Sequence, residues 1–237
     1  MGLSTPDPAA LGAGFRQMYV NGKWTDSSSG ETFEVINPAT ETVLSSISAG
    51  STQDVDRAVA AFKQYREAGA RLDGFGRFEL FEQIGRAGHF AIVETWRDQK
   101  AFDARGAQVQ ARLTDALKPI RVSDYDQRPY KPLSVASSVP AHHGGITVVA
   151  HVDVAPNPRV AVLLQELAQA SRRDPGNLRF DVYQHTMRAN HFTVVETWQS
   201  EKALDQHVAA AHTKQYRDEL QPMTGSPLDE RVYRAVE

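Results

Sequence analysis

The chain of 237 residues contains no cysteine, which excludes disulfides, thiolate metal sites and cysteine nucleophiles. It lacks any run approaching about eighteen apolar residues, and its N-terminus lacks the order of a secretory signal. It also has no long basic run, and its net charge of −3 argues against nucleic acid as a partner. We therefore expect a globular protein of the cytoplasm that binds neither membrane nor nucleic acid.

One segment of the chain occurs twice, at residues 74–103 and 176–205. Fourteen of the thirty aligned positions are identical, where unrelated sequences of ordinary composition would share roughly two. The run Val-Glu-Thr-Trp stands at 93–96 and again at 195–198. A repeat of this length is a folding unit rather than one rung of a solenoid. The sequence thus predicts two similar modules that form a pseudo-dimer within one chain.

The second module is predicted over residues 146–237. A β-branched run at 146–154 indicates a strand, and Asn157 with Pro158 indicates the start of a helix that ends near residue 173. Two strands, a helix and a closing strand are expected to follow, at 178–184, 191–198, 203–215 and 231–236. The order β-α-β-β-α-β is that of the ferredoxin-like motif, of class α+β.

The first module is predicted over residues 41–135, after an N-terminal extension at 1–40 and before a linker at 136–145. Ser51 and Asp54 have the spacing of an acidic capping box. The other expected elements are strands at 42–48, 77–83 and 89–96, a stripe of Val55, Val59 and Phe62 on the first helix, a second helix at 100–117 and a last strand at 128–135. Pro129 and Pro132 confine that last strand to a sheet edge.

The second module carries a recognisable pattern of strand and helix residues. The strand Phe192–Trp198 is followed by Ala203-Leu204, by His207 and then by His212. This pattern resembles the antibiotic biosynthesis monooxygenase (quinol monooxygenase-like) family of the dimeric α/β-barrel superfamily. The resemblance implies two tandem ferredoxin-like modules packed as an intrachain dimeric α/β barrel. In the first module the resemblance is weaker, because Arg105 and Gln110 stand where the two histidines would be.

A second resemblance lies at the front of the chain. The stretches at 19–24, 33–40 and 54–59 are similar to the start of an aldehyde dehydrogenase, and the similarity stops near Arg66. The chain has no room for that family's cofactor domain, and the family's catalytic cysteine is absent. We predict that this segment supplies structure, namely a hairpin followed by a strand and helix that complete the first module.

The monooxygenase resemblance implies oxidation of an electron-rich phenol, hydroquinone or anthrone by molecular oxygen, with no cofactor. Such a substrate becomes a good one-electron reductant once it is deprotonated. The site therefore needs a base, a donor for the developing oxyanion and a pocket that excludes water. Histidine suits the first task, so the predicted catalytic residues are His207 as base, with His212 and His151 as nearby donors.

Aromatic residues around the second-module strand are the predicted substrate contacts. Strand side chains alternate between faces, so Phe192, Glu196 and Trp198 are expected on one face. Trp198 is predicted to form a wall for a flat substrate, and the full set is Trp198, Glu196, Phe180 and Phe192. His207 and His212 lie about 140° apart on an ideal helix. Either the helix breaks between them or only one faces the pocket, and no metal is predicted.

Other interpretations remain open from sequence alone. The protein is alternatively a non-enzymatic module that binds a small aromatic ligand, or a haem-binding or haem-degrading relative that uses a histidine as axial ligand. Trp96 and Trp198 are alternatively core residues, Glu94 and Glu196 salt-bridged sheet residues, and the helical histidines surface residues. A homo-oligomer beyond the intrachain pseudo-dimer is also left open.

Overall fold

The computed structural model describes residues 18–20, 23–25, 29–36, 40–48, 50–121, 125–134 and 145–236. All but the last residue of the predicted linker lies outside them. The strands are β1 (Met18–Val20), β2 (Lys23–Thr25), β3 (Thr32–Ile36), β4 (Val43–Ser48), β5 (Phe75–Gln83), β6 (Phe90–Trp96), β7 (Tyr130–Pro132), β8 (Ile146–Asp153), β9 (Asn177–His185), β10 (His191–Trp198) and β11 (Asp229–Ala235). The helices are α1 (Thr52–Gly69), α2 (Gln99–Ala104), α3 (Gly106–Leu117), α4 (Arg159–Ser171), α5 (Glu201–Ala209) and α6 (Ala211–Leu220).

The chain divides into two compact units, one of residues 1–77 and 95–126 and the other of 78–94 and 127–237. In the first unit, β1 pairs with β2 and β3 pairs with β4. The capping box at the start of α1 is confirmed, because Ser51 Oγ accepts from the Asp54 amide while the Asp54 carboxylate accepts from the Ser51 amide. The buried face of α1 comprises Asp54, Ala58, Ala61, Phe62, Tyr65 and Gly69.

The second unit is built on a seven-stranded sheet of order β6-β5-β11-β8-β10-β9-β7. The last strand of each module pairs with a strand of the other module. β11 pairs with β5, where Ala235 lies opposite Phe81, and β7 pairs with β9, where Pro132 lies opposite Tyr183. This reciprocal exchange joins strands of both modules in one sheet. It also confirms that the proline-containing strand β7 lies at an edge.

The two faces of this sheet are covered differently. On one face, alternate residues of β8, β9 and β10 form a core with α4 and α6, which includes Val152, Phe180, Val194 and Trp198. On the other face, Phe81 of the first module packs against Val149 and Tyr233 of the second. This alternation follows from the two-residue period of a strand. It decides which side chains are able to meet the residues of α5 and α6.

A buried ion-pair cluster links β5 of the first module to β9 of the second. Arg179 donates to Glu79 Oε2 and to Asp181 Oδ2, each at 2.7 Å, and to the hydroxyl of Tyr183 at 3.1 Å. The side chains of Arg179, Glu79 and Asp181 are almost fully buried. Partnered carboxylates are what allow a guanidinium to remain charged at such a position.

In each copy, a turn glycine lies close to a helix alanine, which explains why both residues are identical in the two copies. Gly176 has a φ of +81°, and a Cβ there would lie 2.7 Å from the Cβ of Ala203. Gly74 has a φ of +80°, and a Cβ there would lie 2.5 Å from the Cβ of Ala101. Only glycine adopts this backbone conformation without strain and leaves room for the helix. Glycine at the turn and alanine on the helix therefore recur together.

Several sequence predictions need correction. The helix predicted at 203–215 is two helices, because Ala210 is extended with ψ of 149° between α5 and α6. The helix predicted at 100–117 is likewise divided into α2 and α3 at Arg105. The strand expected to open the first module, β4, pairs with β3 among the described residues. No helix in the described ranges has the length and apolar character that crossing a bilayer requires.

Candidate active site in the second module

The break between α5 and α6 places two histidines side by side. His207 lies in the last turn of α5 and His212 in the first turn of α6. Their ring centroids are 5.6 Å apart. In a continuous helix the two rings would point about 140° apart. The extended backbone at Ala210 is therefore what brings both imidazoles to the same place.

Asp174 lies between these histidines, in the turn that follows α4. Its Oδ2 is 2.8 Å from His207 Nδ1, which is a hydrogen bond, and 3.1 Å from His212 Nε2. The buried His212 Nε2 makes no hydrogen bond with any residue that the structure describes. Sequence reasoning missed Asp174, because Asp-Pro-Gly indicates a turn. One signal was available, since the aligned residue of the first copy is Leu72.

Two aromatic rings pack against the imidazole of His207. The imidazole stacks on the indole of Trp198, with centroids 4.5 Å apart and 25° between the planes. The ring of Phe180 meets it edge-on at 5.6 Å. Trp198 and Phe180 are fully buried, and His207 is only 4% exposed. The base predicted from sequence is thus a core residue and not a surface one.

Glu196 completes the site on the far side of His207. Its Oε2 accepts a hydrogen bond from Trp198 Nε1 at 3.0 Å and lies 3.6 Å from His207 Nε2. Burial raises the pKa of Glu196 to about 8, although the indole hydrogen bond works in the other direction. A carboxyl with that pKa is mostly protonated and neutral at pH 7.

The protonation of His207 follows from its two neighbours. Burial lowers the pKa of His207, and the opposing effect of Asp174 does not fully offset it. A neutral imidazole that donates Nδ1–H to the Asp174 carboxylate has its lone pair on Nε2. This arrangement fixes the tautomer of the ring. Chemically, it is a base whose accepting nitrogen faces the Glu196 carboxyl.

Two predicted site residues lie elsewhere. His151 is on the sheet face opposite His207, because β8 alternates and its neighbours Ala150 and Val152 occupy the helix-covered face. Its Nδ1 is 2.9 Å from Thr193 Oγ1 on that opposite face. Phe192 is on the correct face but six residues along β10 from Trp198, about 20 Å away at strand spacing. Neither residue joins the cluster formed by Asp174, Phe180, Glu196, Trp198, His207 and His212, which we call the histidine site.

The aligned positions of the first module hold different chemistry. Arg105 is buried, donates to Gln110 Oε1 at 2.7 Å and has its guanidinium carbon 4.0 Å from the centroid of the Phe102 ring. The fold therefore brings positions 105 and 110 together, as it does 207 and 212. Arginine stays protonated and does not act as a base near neutral pH. The first copy therefore lacks a group that can accept a proton near neutral pH, because arginine and glutamine stand where the second copy has histidines.

The family of the chain follows from its sequence profile. The profile described as antibiotic biosynthesis monooxygenase matches residues 46–111 and 145–219, which together are more than half of the chain. The protein therefore belongs to the antibiotic biosynthesis monooxygenase family, and it contains two tandem segments of that family. The histidine site lies entirely within the second segment. Both the predicted resemblance and the predicted ferredoxin-like repeat are confirmed.

Solved structures share this fold at low sequence identity. A "putative monooxygenase" of Fusobacterium nucleatum superposes with a TM-score of 0.67 at 13% identity, over 79% of this chain and 88% of that one. One from Lactobacillus acidophilus gives 0.62 at 14% identity, over 77% and 88%. An anthrone oxidase-like protein gives 0.61 at 12% identity, over 79% and 87%. At these identities the likeness shows the fold.

Curated proteins match a shorter, N-terminal part of the chain, which overlaps the first family segment. A "putative aldehyde dehydrogenase" of Staphylococcus haemolyticus is 53% identical over 90 residues, which are 36% of this chain and 16% of that protein. One of Staphylococcus epidermidis is 56% identical over 54 residues, or 22% and 11%. This chain thus spans about a sixth or less of these relatives. The resemblance predicted for the N-terminal segment is confirmed, but a match over 36% of the chain passes Arg66, so the similarity continues beyond the residue at which it was predicted to stop.

Proposed function

We propose that this protein is a cofactor-independent monooxygenase that oxidises an electron-rich phenol, hydroquinone or anthrone with molecular oxygen. The observation that carries the proposal is the pair formed by His207 and Asp174, held over Trp198. It supplies a neutral, oriented base in a site from which water is largely excluded. Family membership supports the reaction type, and the substrate class is the one that the family resemblance implies, for which a neutral base is the required group.

The first step is removal of a proton from the substrate hydroxyl by His207 Nε2. Asp174 then stabilises the imidazolium, because its carboxylate accepts from Nδ1–H at 2.8 Å. The phenolate transfers one electron to oxygen, and the resulting radical pair forms a carbon–oxygen bond. The imidazolium returns its proton to the resulting peroxide anion, and loss of water from the hydroperoxide completes the reaction. The substrate gains one oxygen atom and loses two hydrogens, so it supplies all four electrons and no external reductant is needed.

The remaining residues of the histidine site have supporting roles. One face of Trp198 is covered by the imidazole, so its task is to hold the base rather than to present an open wall to substrate. The protonated Glu196 carboxyl is a donor 3.6 Å from the same imidazole nitrogen, suited to a developing oxyanion. The side chains of His212 and Asp174 are 27% and 19% exposed. They are more exposed than His207 and Glu196, and Asp174 contacts Nδ1 of His207.

The experiment is a measurement of oxygen uptake by the chelator-treated protein with a panel of anthrones, hydroquinones and simple phenols. We expect saturable uptake above the uncatalysed rate with at least one polycyclic phenol or anthrone. The alternative of a non-enzymatic binding module predicts saturable binding, seen as quenching of tryptophan fluorescence, with no uptake beyond the background. That second outcome across the panel would overturn the proposed function.

A further inference from the structure

The histidine site contains three metal-ligating groups in a small volume. One ligand atom from each of Asp174, His207 and His212 lies within 4.8 Å of the other two. We propose that these residues form a binding site for a divalent transition metal ion such as Zn²⁺, and that the bound ion turns off the oxygenation. The binding stands on geometry alone, whereas the inhibition rests on the proposed function. It follows because His207 would bind the metal through Nδ1 and carry its ring proton on Nε2, which then has no lone pair to accept the substrate proton.

The distances suit a small ion. In a tetrahedral zinc site with bonds of about 2.0–2.1 Å, neighbouring ligand atoms are about 3.3 Å apart. Asp174 Oδ2 is 2.8 Å from His207 Nδ1 and 3.1 Å from His212 Nε2. A small ion would need these two separations to widen by a few tenths of an ångström and the two imidazole nitrogens, which lie within 4.8 Å of each other, to take a similar spacing. Two imidazoles and one carboxylate, with one position left for water, form a common ligand set for this class of metal.

A second observation points to a ligand at this place. His212 Nε2 is buried and makes no hydrogen bond within the described residues, although it lies against a carboxylate oxygen. A buried polar atom without a hydrogen bond is costly unless something satisfies it. A metal ion shared with Asp174 would do so. The His212 side chain is partly exposed to solvent, so an ion can reach the site without unfolding of the protein.

The surroundings of His207 also match those of a metal-bound histidine. Such histidines usually present their other ring nitrogen to a carboxyl or a hydroxyl, which orients the ring. With Nδ1 on the metal, His207 Nε2 would face Glu196 Oε2 at 3.6 Å. The stack on Trp198 keeps the ring in place. The ligand orientation would therefore exist before the metal binds.

The first module provides an internal comparison. Its residues aligned with Asp174, His207 and His212 are Leu72, Arg105 and Gln110. The carboxylate and both imidazoles are therefore absent together from the first copy. Neither a leucine nor an arginine ligates a divalent ion, so the proposal assigns one metal equivalent per chain and not two.

The binding test uses the full-length, chelator-treated protein and Co²⁺ as a spectroscopic substitute for Zn²⁺. We expect visible d–d absorption that saturates at one equivalent and is displaced by Zn²⁺. Asp174→Asn and His212→Ala should each weaken binding at least about tenfold. His191→Ala is the matched control, because His191 Nδ1 is paired with the Asp153 carboxylate at 2.6 Å on the same sheet. Failure to saturate near one equivalent, or loss of the signal only in the control, would overturn the site.

The inhibition test is read separately from binding. If the protein takes up oxygen with a phenolic substrate, Zn²⁺ should abolish that uptake and a chelator should restore it. The Zn²⁺ concentration that halves the activity of the His212→Ala variant should be at least about tenfold higher than the concentration that halves the activity of the wild type. Full activity of a protein shown to hold one equivalent of Zn²⁺ would overturn the inhibitory role. Stoichiometric Co²⁺ binding without oxygen uptake on any substrate would instead remove the proposed function and leave the metal site standing.

Discussion

The imidazole of His207 lies nearly parallel to the indole of Trp198, at a centroid separation of 4.5 Å. The same imidazole donates to Asp174 and is almost fully buried. One side chain is therefore both the proposed base and part of the packing between α5 and the sheet. Substitutions of His207 should consequently change both the rate and the stability.

Replacing His207 by glutamine keeps a polar side chain but removes the base. We expect kcat to fall by about 10²–10⁴, the usual contribution of a positioned general base. The free energy of unfolding should fall by about 1–3 kcal/mol, because a buried ring and its hydrogen bond are lost. Steady-state kinetics and urea unfolding measure the two effects. The matched variant is Arg105→Gln at the aligned position of the first copy, which should lower stability but leave kcat unchanged.

Asp174→Asn keeps the base, His207, but removes the carboxylate that orients it. The amide removes the charge that stabilises the imidazolium and allows the opposite tautomer of His207. We expect kcat to fall by at least about tenfold while KM changes little, since the effect is on proton transfer. Asp153→Asn, at the carboxylate paired with His191, is the control and should retain the wild-type kcat. A wild-type kcat in Asp174→Asn would show that the pair does not act in the reaction.

The carboxyl of Glu196 should make the protein less stable as the pH rises. Its pKa is about 8 in the folded protein against an ordinary value of 4.5. Between these values the folded protein holds a proton that the unfolded chain has released. The stability contribution is therefore complete below pH 4.5 and is lost as the pH rises through 8, by an amount on the order of a few kcal/mol.

Glu196→Gln tests this, because the amide does not ionise. Urea unfolding at several pH values between 5 and 9 should give a flatter stability profile for the variant than for the wild type. Relative to the wild type, the variant should gain stability towards alkaline pH. Parallel profiles would mean that the carboxyl is ionised in the folded protein at neutral pH, and the donor role proposed for it would be wrong.

The buried cluster around Arg179 should dominate the electrostatic stability of the second unit. Arg179→Met leaves the carboxylates of Glu79 and Asp181 without their shared cation. Removing one partner of a buried ion pair typically costs about 3–5 kcal/mol. Arg217→Ala, which breaks a partly exposed pair with Glu230, should cost no more than about 1 kcal/mol. Equal losses of unfolding free energy in the two variants would contradict the importance given to the cluster.

Local patterns made several elements predictable from the sequence. Strand β10 has the predicted bounds, because it is a run rich in β-branched and aromatic residues, which favour strands. The capping box of α1 and the edge position of β7 follow from side-chain hydrogen bonding at Ser51 and from the prolines around β7. These features depend on neighbours in sequence. The folded structure retains these local features because the tertiary contacts favour the same backbone conformations.

The arrangement of the site depended on contacts that the sequence does not display. Ala209, Ala210 and Ala211 favour a helix, yet the backbone turns there and both neighbouring histidines approach Asp174. His151 was assigned to the site because the sequence does not give the pairing of β8 with β10. That pairing places it beside Thr193, on the other face. Comparison of the two copies was the better guide, since the site residues differ where the scaffold residues agree.

Incorporation of labelled oxygen tests most directly whether the protein is a monooxygenase that uses His207 as its base. The chelator-treated wild-type protein and His207→Gln are incubated with ¹⁸O₂ and a dihydroxyanthrone, and the product is analysed by mass spectrometry against a protein-free control. We expect a quinone with one labelled oxygen per O₂ consumed, formed by the wild type well above the uncatalysed rate and by His207→Gln near that rate. Product formation by His207→Gln at the wild-type rate, or none above background by the wild type, would contradict this expectation.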